Sequence, residues 1–111
     1  MTYDFPEIKM NKEDIYSVLN SSSIIRNIIK DYERIGLILG DGKYTFVIKD
    51  GKIVDIKDSM DGVDFTIKTT QSNLKDLVES AKEKNFKKVV EDMLKLEMPF
   101  GFKLRIIKNA L

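Results

Sequence analysis

The sequence predicts an α+β fold in a single domain over residues 1–111, and three observations carry that prediction. Apolar residues recur at helical spacing up to Tyr32, alternate from Ile35 to Ile67, and return to helical spacing from Leu74. Two Asp-Gly pairs, Asp41-Gly42 and Asp50-Gly51, separate alternating runs, which is a hairpin signal. A length of 111 residues with 42% hydrophobic and 33% charged side chains suits one packed core.

Taken in order, Asn11 is a good N-cap, and Glu13 and Asp14 after it complement the positive end of a helix dipole. Ile15, Val18 and Leu19 then form one helical face. Ser21, Ser22 and Ser23 break that helix and cap a second one, in which Ile24, Ile25, Ile28, Ile29 and Tyr32 recur. Gly36 marks the end of that helical region.

Ile35, Leu37 and Leu39 read as a buried strand. Tyr44, Phe46 and Ile48 form the next, and Lys52–Lys57 a third with Val54 and Ile56 on one face, completing a meander. A loop at Asp58–Gly62 leads to a fourth strand through Val63, Phe65 and Ile67. Ser72 or Asn73 caps a helix with Leu74, Leu77, Val78 and Ala81 on one face. Phe86, Val89, Val90, Met93 and Leu94 mark another helix, and Leu94–Met98 alternates like a short strand before Pro99. Phe100, Leu104, Ile107 and Leu111 line one strip of a last helix. Helices over one sheet face, with the other partly solvated, is the expected layering.

Composition narrows the chemistry. The chain has no Cys and no His, which removes disulfides, thiol nucleophiles, Cys-ligated metals and the usual general base near neutral pH. Lys and Arg number 19 against 18 Asp and Glu, and only Arg26, Arg34 and Arg105 are arginine, so nucleic acid is not an expected partner. No cofactor, metal site or catalytic residue is expected. No stretch reads as a signal core or membrane span, and the expected location is the cytoplasm.

Each remaining motif has a plain reading. Asp58, Asp61 and Asp64 are spaced by three, which does not fit alternate-position cation ligands, and the segment reads as a solvated turn. Gly40-Asp41-Gly42 is followed by a strand rather than a helix N-terminus, so it is a turn and not a phosphate cradle. Lys82, Lys84, Lys87 and Lys88 read as a solvated helix face, with transient contact with an anionic membrane surface the sharper option.

The order of elements and three short strings resemble the sterol carrier protein 2 family of small lipid-binding domains. The strings are Asp64-Phe65-Thr66-Ile67, the helix after Ser72-Asn73-Leu74, and Leu94-Lys95-Leu96-Glu97-Met98 before Phe100–Leu111. Family members commonly have Gly before the Lys-Leu strand and a Gly-Asp or Gly-Asn turn after it, where this chain has Leu94 and Met98-Pro99. The terminal Lys108-Asn109-Ala110-Leu111 is not the Ser-Lys-Leu of peroxisomal import. The resemblance implies a five-stranded, mostly antiparallel mixed sheet with helices over one face. It also implies an apolar tunnel between sheet and helices for a lipid, fatty acid or acyl-CoA. Residues implied to line that tunnel are Leu77, Val90, Met93, Met98, Phe100, Phe102, Leu104 and Ile107.

The leading expectation is therefore non-enzymatic binding or carriage of an apolar ligand, in a cavity of a few hundred Å³. A protein-interaction or homodimerisation module, with the C-terminal strip on a partner, is the alternative. An accessory domain that presents substrate to an enzyme is another.

Overall fold

The computed structural model describes residues 2–111. The elements run α1 (Lys12–Asn20), α2 (Ser23–Ile29), β1 (Arg34–Leu39), β2 (Gly42–Lys49), β3 (Lys52–Lys57), β4 (Phe65–Thr69), α3 (Gln71–Lys82), α4 (Phe86–Leu94) and α5 (Phe100–Ala110).

Short polar residues set most helix starts. The Asp14 carboxylate accepts the Asn11 backbone N–H at 3.1 Å, while the Asn11 side-chain oxygen accepts the Asp4 N–H at 3.1 Å. Ser22, Thr70 and Asn85 cap α2, α3 and α4 by accepting from Ile25, Asn73 and Lys88. Thr70, rather than Ser72 or Asn73, is the cap of α3, because the helix begins one residue after β4 and its linker end. Both hairpins use two-residue turns. Gly40 has φ of 61° in the first, and Asp50 and Gly51 have φ of 54° and 77° in the second, which matches the right-handed strand twist.

The sheet has four strands among the described residues, in the order β3-β2-β1-β4, with β1 and β4 parallel and the other pairs antiparallel. This corrects the expected fifth strand at Leu94–Met98. Leu94 completes α4 and Lys95 is its C-cap, so only three residues remain before Pro99. Glu97 alone reaches the sheet, exchanging backbone hydrogen bonds with Lys68 at 2.9 and 3.0 Å. Gly36 lies within β1 and does not end a helix.

The sheet divides its residues cleanly. Ile35 and Leu37 of β1, Phe46 and Ile48 of β2, and Ile67 of β4 lie in register on one face, toward the helices. A register shift beside Val47 and Ile48 lets both Ile53 and Ile56 of β3 pack inward and leaves Val54 half exposed. The opposite face carries Thr45, Gly36 and Thr66 in one row. The loop after β3 folds back over that row. Thr45 Oγ1 donates to the Ser59 carbonyl at 2.6 Å, and a Cβ built on Gly36 would sit 3.0 Å from Met60 Cε.

Terminal residues complete the core in a way the sequence pattern did not mark. Phe5 is fully buried, meets Tyr44 in a tilted contact with ring centroids 5.2 Å apart and bridges to Met10, and Ile8 is also buried. Among the described residues, no helix is long and apolar enough to cross a membrane.

Candidate apolar ligand site

The concave feature with the most uniform chemistry is an apolar cavity of about 70 Å³ between the inner sheet face and the helices, partly open at its edge. Ile35 and Leu37, Phe46, Ile53 and Ile67 form its floor, one group from each strand. Leu19 of α1, Ile25 and Ile29 of α2, and Leu74 and Leu77 of α3 form its walls. Met93, Leu96 and Phe102 close it. Thr69 is the one polar residue on the wall, and its hydroxyl is turned to the Thr70 carbonyl at 3.5 Å. Among the described residues no ionisable side chain lines the cavity.

The roof is Phe102 on α5. Its ring meets Phe65 at 4.6 Å and Tyr32 at 5.7 Å, and Tyr32 meets Phe65 edge-on at 4.9 Å. Arg105, one turn on, lies over the Tyr32 ring at 5.3 Å and pairs with Asp31. Of the five helices among the described residues, α5 has the weakest start. Pro99 offers no side-chain cap, there is no acidic residue in the first turn, and Gly101 sits within it. Tertiary contacts therefore hold this helix: Phe102 and Ile106 underneath, and Arg105 at the side.

Of the residues expected to line a tunnel, Leu77, Met93 and Phe102 do line the cavity. Val90 is buried on α4 but is not on the cavity wall, and Met98 is half-buried at the edge of the core. Phe100, Leu104 and Ile107 are 71%, 39% and 38% exposed, so the strip read as tunnel lining faces outward. The reason is geometric. At about 100° per residue, Phe100, Leu104 and Ile107 share one arc of α5, while Phe102 and Ile106 share the opposite one. The aromatic partners Tyr32 and Phe65 select the Phe102 arc for burial.

Sequence reasoning did not assign Leu19, Ile25 and Ile29 to the wall. The signal was present in the run Ser23–Ile29, where Ile24, Ile25, Ile28 and Ile29 are all buried. A helix so apolar is enclosed on most sides.

The larger concavities are more polar: one of about 130 Å³ is lined by Ser21, Ser22, Ser23 and Lys84 beside Ile24, Ala81, Phe86 and Val89, and the rest carry charges of both signs. Another, of about 480 Å³, holds Lys30, Asp31, Glu33, Arg34 and Lys49, so neither sign converges. The Asp58–Asp64 loop is structural. Asp64 Oδ2 accepts the backbone N–H groups of Glu33 and Arg34 at 2.8 and 3.2 Å, and Asp58 pairs with Lys12 at 2.8 Å. That hydrogen bond raises Lys12 above its ordinary value of 10.5. Among the described residues no three carboxylates gather as metal ligands would. Lys82, Lys84, Lys87 and Lys88 are exposed at the corner between α3 and α4.

The fold and the pocket define the chain as a small α+β domain with an apolar pocket beneath its last helix. No family model, curated protein or solved structure matches the chain.

Proposed function

We propose that the chain binds an apolar molecule, of the class of fatty acyl chains or other lipids, in the cavity beneath α5, without catalysing a reaction. The observation that carries this reading is the cavity wall, built from five helices and four strands with no ionisable group on it among the described residues. Apolar sites that hold ligands by burial have this lining. A void of about 70 Å³ costs on the order of 2 kcal/mol of stability.

The cavity is smaller than expected, about half of the roughly 150 Å³ that admits benzene in an engineered protein core. An acyl chain therefore requires α5 to lift. That helix is suited to it, being uncapped and tied at its side by one ion pair. The resemblance to sterol carrier protein 2 domains would imply the same ligand class, but the sheet has four strands among the described residues where that resemblance implies five.

Native mass spectrometry of delipidated protein offered fatty acids, acyl-CoA and isoprenoid lipids tests the reading. Retention of at least one class, lost on substitution Leu77→Phe, supports it. Retention of none by a folded protein ends it.

A further inference from the structure

The outward face of α5 is unaccounted for by the cavity. Phe100, Leu104 and Ile107 stand in one exposed arc, flanked on one side by Lys103 and on the other by Lys108, both exposed. The helix carries Lys103, Arg105 and Lys108 and no carboxylate, although the chain as a whole has a net charge of only +1. Arg105 is turned to Asp31, whereas neither lysine makes an ion pair with a described residue.

We propose that this face docks on a bilayer surface bearing anionic headgroups. The three apolar side chains enter the headgroup boundary, and Lys103 and Lys108 lie at the level of the charge. An apolar arc bordered by lysines is the pattern of helices that lie in a membrane interface. A second copy of the chain fits less well. An α5–α5 contact would set lysines against lysines, and three side chains fall well short of the roughly 800 Å² per partner of a stable interface. The basic corner at Lys82–Lys88 is the weaker candidate because Glu83 lies among its lysines and Glu79 and Glu91 flank them. Docking through α5 goes beyond ligand binding and places the roof of the cavity at a lipid surface.

Co-sedimentation with vesicles of phosphatidylcholine alone, and of phosphatidylcholine and phosphatidylglycerol in equal parts, tests the docking. The full chain should partition onto the mixed vesicles and be released by salt, which screens exposed charge. Lys103→Glu with Lys108→Glu should weaken partitioning by about 30-fold or more, from about 1 kcal/mol per cation at such a surface. Leu104→Ser with Ile107→Ser should weaken it on charge-matched protein. All four side chains are exposed, so circular dichroism should show an unchanged fold. Equal binding to both vesicle types, no binding to either, or indifference to both double variants would overturn the proposal. So would a concentration-dependent dimer, seen by sedimentation and abolished by Leu104→Ser, in a protein that ignores vesicles. Ligand retention measured without vesicles is independent of Lys103 and Lys108, so failure of docking and failure of the ligand reading are distinguishable.

Discussion

Arg105 of α5 pairs with Asp31, which lies between α2 and β1, and its guanidinium rests on the ring of Tyr32 next to it. One side chain from the last helix thus holds the segment that leads into the central strand. Because Arg105 is 28% and Asp31 61% exposed, the ion pair is worth well under about 1 kcal/mol, with a similar share from the ring. The contact is a latch of modest strength on a helix with a poor start.

Arg105→Ala should therefore lower global stability by about 1 kcal/mol or less, yet raise amide exchange in α5 more than in α3 or α4. Hydrogen exchange followed by mass spectrometry reads this directly. Uniform acceleration across all helices would mean that α5 does not open separately from the rest.

A second pair locks α3 to α4. Ser80 and Asp92 are 1% and 2% exposed, the Ser80 hydroxyl is bonded to the Asp92 carboxylate, and Lys95 reaches the same carboxylate at 3.2 Å. Ser80→Ala should cost about 2 kcal/mol in urea unfolding, since it leaves a buried acceptor short of a donor. The double variant with Asp92→Ala should lose less than the two single losses added together. Strict additivity would show that the two groups are not coupled.

Gly36 is required by Met60 rather than by its backbone angle. An added Cβ would lie 3.0 Å from Met60 Cε and 3.2 Å from Thr66 Oγ1, and the thioether can yield more readily than the strand. Gly36→Val should destabilise by about 1–3 kcal/mol, and Met60→Ala in the same chain should recover part of the loss. Thermal melts that show no recovery would place the strain elsewhere.

Lys12 and Asp58 give the fold a pH signature at its alkaline end. The hydrogen bond to Asp58 raises the folded-state value of Lys12 above 10.5, so its contribution is complete below that pH and is lost as pH climbs through the raised value. The melting-temperature gap between the protein and Lys12→Met should be constant from neutral pH to about 10 and then narrow. A gap that instead narrows between pH 5 and 8 would assign the effect to other groups.

The elements were legible where period and turn chemistry agree. Ile35, Leu37 and Leu39 alternate into a buried strand, and Asp50-Gly51 has the positive φ values that its turn demands. Three features were not legible. Glu97 pairs with Lys68 through backbone alone, so no side-chain pattern could distinguish a single bridge from a strand. Phe5 is buried by a turn closed on Met10, outside any periodic run. The arc of α5 that turns inward was decided by Tyr32 and Phe65, residues remote in sequence, and not by the strip Phe100, Leu104 and Ile107, which has the longer apolar repeat. Part of the cavity was visible as Leu77, Met93 and Phe102, and the isoleucine run of α2 marked a helix enclosed on most sides, while its place and that of Leu19 on the wall required the three-dimensional layering.

Methyl-resolved NMR of the protein titrated with a medium-chain fatty acid addresses the ligand site most directly. Shifts should concentrate on Ile25, Leu77 and Met93 at the cavity and on Ile106 beneath α5, and should disappear in Leu77→Phe. Perturbation confined to Leu104, Ile107 and Leu111, with the cavity methyls unmoved at saturation, would contradict a ligand held inside the fold.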